Sequence, residues 1–149
     1  MLHVKNVLVP TDFSRCADQA LLQAAVLAQQ SGATLHLLHV ATLPSYRGGD
    51  GEAEARTHDL VSWLRKMAAV PDLHILEAER RGLSVASEIL AYADEIDADL
   101  VVIGTHGRTS LGATLLGSVA IEVVRHAECP VVTVREQDEA RLLTNMSDV

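Results

Sequence analysis

Short apolar runs alternate with longer stretches of helical period along the chain, the pattern of a parallel sheet joined by crossover helices. Val7-Leu8-Val9-Pro10 reads as the first strand and residues 35–40 as the second. Between them, Ala17, Leu21, Ala24 and Ala28 recur at steps of four, three and four, so they share one face of a helix. Ser14 is placed to cap that helix through its hydroxyl, and Ser31-Gly32 to end it. Residues 41–51, with Pro44 and Gly48-Gly49-Asp50-Gly51, read as a flexible connection. A second helix follows with Leu60, Leu64 and Met67 inward, and stops near Pro71. Residues 73–79 form a third strand whose Glu77 and Glu79 suit a sheet edge.

Ser84 caps a third helix with Val85, Ile89, Tyr92 and Ile96 on its inner face. Leu100-Val101-Val102-Ile103 is uninterruptedly apolar, as a strand covered on both sides must be. Ala120, Val123, Val124 and Ala127 give a short fourth helix, and Val131–Val134 a fifth strand. The predicted unit is therefore one domain over residues 1–135, followed by a polar tail over residues 136–149 that reads as a frayed helix or disordered.

Crossovers between parallel strands are right-handed, so helices cover both faces only if the winding reverses once. Placing the most apolar strands, the first and fourth, in the middle gives a five-stranded parallel α/β sheet in the order 3-2-1-4-5. Ligands of such sheets bind beyond the strand carboxyl ends at the reversal, which lies just after Pro10 and just after Ile103.

Composition narrows the partners. The chain has 149 residues with 12 Lys and Arg against 20 Asp and Glu, a net charge of −8. Its basic residues are scattered and its aromatics few, which disfavours nucleic acid on both electrostatic and stacking grounds. No apolar run approaches the roughly 20 residues of a membrane span, and the first residues do not read as a secretion leader. Cys16 and Cys129 lie far apart and form no CxxC pair, so a reducing cytoplasm is expected.

The densest unusual chemistry follows the fourth strand. Gly104-Thr105-His106-Gly107-Arg108-Thr109-Ser110 is succeeded by Gly112 and by Gly117-Ser118-Val119, which opens a helix. Gly104 and Gly107 permit positive φ and close approach of a ligand to the backbone. Gly117 and Ser118 put unpaired N–H groups and a helix dipole where they would favour a phosphate. Arg108 adds a permanent cation. Across the reversal, Asp12 either helps cap the first helix or accepts ribose hydroxyls, and the glycine loop opposite tips it toward the ribose.

Neither Gly107-x4-Gly112-Ala113-Thr114 nor Gly112-x4-Gly117-Ser118 has the lysine of a nucleotide-hydrolysing P-loop. No Gly-x-Gly-x-x-Gly follows the first strand, and Gly-x-Ser-x-Gly is absent. His36 and His39, three apart on a strand, point to opposite faces. His126 and Cys129 have no nearby third and fourth ligands for zinc. His126 suits a helix C-terminus, Cys129 a small buried position, and His106 a loop side chain near phosphate.

The spaced block Gly104-x2-Gly107-x9-Gly117-Ser118 resembles the nucleotide-binding signature of the universal stress protein family, as does its setting from Asp99 to Arg135. The opening NVLVPTDFS and the strand LHLLHV are similar to the same family, so the resemblance runs from about Lys5 to Arg135. It implies an ATP-binding domain of Rossmann-like, adenine nucleotide alpha hydrolase-like build. Pro10, Thr11 and Asp12 would contact adenine and ribose, and Val40 would meet adenine through its backbone. Gly104, Thr105, His106, Gly107, Arg108, Thr109 and Ser110, with Gly117, Ser118 and Val119, would hold the triphosphate. Ser84 replaces a proline common in the family, which touches only the third helix start.

The resemblance also implies a homodimer paired through Val131–Val134, an apolar edge with free backbone groups. A triphosphate entering a protein of charge −8 needs more than Arg108, so Mg²⁺ is expected through the phosphates. The reading is an ATP-binding protein of stress response or signalling, acting through nucleotide-dependent dimer or partner contacts. Slow ATP hydrolysis or self-phosphorylation is the enzymatic alternative, for which no base beyond His106 is evident. A nucleotide-independent interaction protein of the same fold is the third.

Overall fold

The computed structural model describes residues 3–42, 51–106 and 116–137. Within them β1 (Asn6–Thr11), α1 (Arg15–Ser31), β2 (Thr34–Thr42), α2 (Glu52–Met67), β3 (Ile75–Gly82), α3 (Val85–Glu95), β4 (Leu100–Gly104), α4 (Ser118–His126) and β5 (Val131–Val134) follow in order. All neighbouring strands are parallel, in the order β3-β2-β1-β4-β5 that the apolar pattern predicts.

The helix ends follow local chemistry. Ser14 Oγ accepts the Ala17 N–H at 3.2 Å and Ser84 Oγ that of Ser87 at 3.2 Å, each supplying an acceptor to a first-turn donor. Gly32 terminates α1 at φ +67°, a left-handed conformation that costs glycine nothing. At the start of β1, the Asp99 carboxylate accepts the N–H groups of Lys5 and Asn6 at 2.8 and 2.9 Å. Those two bonds, Lys5 foremost, hold its pKa below the ordinary carboxylate value.

Strand alternation sorts the core into two layers. Val7, Val9, Leu35, Leu37, Leu100 and Val102 pack under α1 and α2. Leu8, Leu38, Val101 and Ile103 pack under α3 and α4. Each fully buried leucine among them contributes about 2 kcal/mol by leaving water. His36 and His39 do face opposite sides. His36 Nε2 lies 3.0 Å from Asn6 Oδ1 and its ring stands edge-on to Tyr92 of α3, whereas His39 stacks on Phe13. Burial, and then His74, lowers the His36 pKa.

Several boundaries differ from the sequence expectation. β2 runs to Thr42 rather than stopping at Val40, and β3 spans Ile75–Gly82 rather than residues 73–79, because these two neighbouring strands pair through Thr42↔Gly82. Leu73 is buried ahead of that strand. Glu77 and Glu79 lie on the predicted edge. In α2 the buried stripe is Thr57, Val61 and Leu64; Leu60 is on its flank, and Met67, at the last helical residue, is 41% exposed. In α4 the stripe is Ala120 and Val123, which leaves Val124 exposed beside it. Cys129 is half-buried against the α3/α4 layer, and burial raises its thiol pKa. His126 ends α4 and lies 3.4 Å from Glu122.

The expected connection at residues 41–51 begins later, since Ala41 and Thr42 belong to β2; residues 43–50 lie outside the described residues. Past β5, Gln137 exchanges both backbone groups with the buried Gln19 side chain, each at 2.6 Å, and Glu136 lies 3.5 Å from Arg15. Residues 138–149 lie outside the described residues. No helix among the described residues is long and apolar enough to cross a membrane.

Candidate functional site

β1 and β4 pair only through Val7↔Leu100 and Leu8↔Val101. The even-numbered residues of β1 turn their backbone groups to β4, as Asn6 does in accepting the Asp99 N–H at 2.9 Å. The next such donor would be residue 10, and Pro10 has no N–H, so the ladder ends and the strands part. A cavity of about 440 Å³ opens there, at the winding reversal. That size suits a small molecule.

The β1 wall is a turn held by its own side chains. Thr11 Oγ1 accepts the Phe13 N–H at 3.0 Å, and Asp12 Oδ1 accepts the Ser14 N–H at 2.9 Å. Phe13 adopts φ +62°, which is strained for a residue with a side chain. Its ring offsets that cost by stacking 4.7 Å from His39 and lying 4.1 Å under the Arg56 guanidinium. One turn into α1, Asp18 has its pKa raised to about 6 by burial and then by Asp12, with Arg56 opposing. Asp12 thus serves the turn ahead of α1, whose cap is Ser14, and also lines the cavity.

Val40 reaches the cavity through register. Even-numbered residues of β2 turn N–H and C=O toward β1, as Thr34 does in donating to Lys5 at 2.8 Å. Pairing with β1 ends at Thr11↔His39 while pairing with β3 runs on to Thr42. The donor that would next meet the Val40 carbonyl is the Phe13 N–H, which is turned onto Thr11. The carbonyl therefore faces the crevice.

Opposite stand Gly104, Thr105 and His106 at the end of β4, and Gly117, Ser118 and Val119 at the start of α4. Gly104 does not adopt the positive φ that the sequence permits it. It is required by packing, since a Cβ there would stand 2.9 Å from Cys16 Sγ and 3.2 Å from the Cys16 carbonyl. Gly117 likewise has an ordinary φ of −63°, and its N–H is not free for an anion because it donates to the Thr105 carbonyl at 2.6 Å. The N–H groups of Ser118, Val119 and Ala120 remain; no side chain caps α4 among the described residues. Thr105 is buried, with its hydroxyl 2.7 Å from His106 Nδ1, and His106 Nε2 is buried with no hydrogen-bond partner among the described residues.

Pro10, Thr11, Asp12, Val40, Gly104, Thr105, His106, Gly117, Ser118 and Val119, all selected from the sequence, thus line one cavity. Gly107, Arg108, Thr109 and Ser110 lie outside the described residues. The sequence reading missed Ala17, Thr42, Val85, Ile89, Ile103 and Ala120 as wall residues, having given all but Thr42 to strand or helix core. The topology carried the missing signal. A helix that follows a parallel strand begins at the carboxyl edge of the sheet, so its first turn borders the crevice.

The sheet order and this crevice define a doubly wound α/β domain of Rossmann-like build. Residues 3–135 match the universal stress protein family, and the chain belongs to that family. It is 35% identical over 147 residues to universal stress protein G of Shigella flexneri, covering 88% of this chain and 99% of that protein. Among solved structures it is similar to universal stress protein UspA from Lactobacillus plantarum, with a TM-score of 0.75, 26% identity, and 89% and 99% of the two chains covered. It is also similar to the universal stress protein from Archaeoglobus fulgidus in complex with dAMP, with a TM-score of 0.63, 28% identity, and 91% and 100% covered.

Proposed function

We propose that this protein binds ATP with Mg²⁺ in the crevice, and acts in stress response or signalling through nucleotide-dependent contacts of a homodimer or partner. The observation that carries the reading is the N-terminus of α4, uncapped among the described residues, whose three amides border the same cavity as the outward Val40 carbonyl. That pairing suits a molecule with an anionic tail and an amine-bearing head. The relative that holds dAMP supports an adenine nucleotide.

In this reading the Val40 carbonyl accepts the adenine exocyclic amine, where guanine would present a repelling carbonyl. Val85, Ile89 and Ile103 flank the base, and the Asp12 carboxylate meets the ribose. The α4 amides take the phosphates together with Gly107, Arg108, Thr109 and Ser110. Mg²⁺ would be held mainly by phosphate oxygens and would offset their charge. The dimer would form along β5, the apolar edge strand. Two free thiols, Cys16 and Cys129, suit the cytoplasm. His106 carries a hydroxyl rather than a carboxylate at Nδ1, an arrangement for binding rather than for activating water.

Calorimetric titration with MgATP tests the proposal. Saturable one-site binding, weaker for MgGTP, is expected. Absence of heat and of any thermal shift at millimolar nucleotide overturns it.

A further inference from the structure

The Thr105 backbone is fully committed. Its N–H donates to the Val134 carbonyl at 2.9 Å, and its carbonyl accepts the Gly117 N–H at 2.6 Å. These two bonds tie β4 to β5 on one side and to the start of α4 on the other. A β-branched side chain on so restrained a backbone has little rotamer freedom, and Thr105 is only 3% exposed. Its hydroxyl is therefore a fixed group rather than a mobile one, and it lies 2.7 Å from His106 Nδ1.

A buried hydroxyl proton without an acceptor carries a desolvation cost, and Nδ1 is the acceptor the hydroxyl has among the described residues. Donation from Thr105 requires a lone pair on Nδ1, which places the ring proton on Nε2. Among the described residues the same Nε2 is buried without a partner, on a residue of the wall that also holds the N-terminal amides of α4, which no side chain caps. A buried N–H that lacks an acceptor there is complementary to an anion; a lone pair at that position would repel one.

We infer that Thr105 is a positioning residue, whose hydroxyl fixes His106 as the tautomer protonated on Nε2 and so makes the ring a neutral donor to a phosphate oxygen. Thr105 itself does not touch the nucleotide. The inference rests on the ATP reading above for the identity of the anion, while the tautomer is a property of the free protein. It separates two neighbouring residues by role: His106 binds, Thr105 aims.

Two measurements test it. A long-range ¹⁵N–¹H spectrum of the free protein, with the His106 signals assigned by their loss in His106→Ala, reads the tautomer directly. Nε2-protonated His106 is expected in the native chain and in Thr105→Ser, and a mixture of tautomers in Thr105→Val. A native spectrum showing Nδ1-protonated His106, or one unchanged by Thr105→Val, overturns the inference whether or not ATP binds. MgATP affinity then reads the consequence. Thr105→Val is expected to weaken binding about fivefold to tenfold, the worth of one lost hydrogen bond. Thr105→Ser should recover most of it, and Thr105→Val should add nothing in a His106→Ala background. An equal loss in that background means that Thr105 acts only on the fold, and refutes the positioning role. Native protein that binds no MgATP overturns the nucleotide reading and the ligand half of the inference together, while the tautomer result still stands.

Discussion

Gly104 and Cys16 touch so closely that the first side-chain atom of any other residue at position 104 would collide with the thiol, at 2.9 Å, and with the Cys16 carbonyl, at 3.2 Å. The contact brings the end of β4 against the first turn of α1, and both elements carry cavity residues. Gly104→Ala is therefore expected to cost about 1–3 kcal/mol through overpacking. Urea unfolding measures it. Cys16→Ala removes the thiol, though not the carbonyl, so the double variant should be more stable than the two losses summed. Strict additivity would mean that the contact does not limit position 104.

Gly117 gives the opposite expectation. At φ −63° its backbone accepts any residue, so Gly117→Val should keep the fold and lose only about 1 kcal/mol at the α4 cap. The branched side chain would crowd the start of α4 beside the anion site. Nucleotide at a hundredfold over its Kd should stabilise the native protein by about 2.7 kcal/mol, and this gain should vanish in the variant. Thermal melts with and without MgATP read both quantities. A retained ligand shift would displace the phosphate from the α4 terminus.

Asp18 makes stability depend on pH. Its native pKa, raised to about 6 from 3.8, means that the folded protein holds this proton more tightly than the unfolded chain. Stability therefore falls as pH rises from about 4 through 6, and the loss is complete above that range. Asp18→Asn should gain about 1–2 kcal/mol at pH 8, after allowance for partial exposure, and almost nothing at pH 4. Denaturation curves at the two values decide it. An equal gain at both would assign the effect to something other than ionisation.

The β5 edge offers a test of the dimer. Pro130 and Val134 turn their carbonyls to β4, where they accept the N–H groups of Val101 and Thr105 at 3.0 and 2.9 Å. By alternation, Thr133 turns its N–H outward. Thr133→Pro should leave the β4 ladder intact and remove a donor from the edge. If two copies pair through β5, light scattering should show the mass halved in the variant. A mass unchanged from that of a native dimer would place the interface elsewhere.

The sequence by itself determined the element order, the strand order, the caps at Ser14 and Ser84, and the neighbourhood of the site. These depend on periodicity, local hydrogen bonding and the handedness of crossovers, all of which act within or between adjacent segments. The tertiary structure alone decided the roles inside that neighbourhood. Gly104 is needed because of a residue 88 positions earlier in the chain, the partner that packing brings to it. The Gly117 amide is lost to Thr105, and the Val40 carbonyl is freed by a register that ends at Thr11. Met67 and Val124 are exposed because a helix buries only the stripe that meets the sheet, and single-chain periodicity does not say where that stripe is centred. What long-range contacts satisfy or leave unsatisfied is a property of the packed whole, and a local pattern does not contain it.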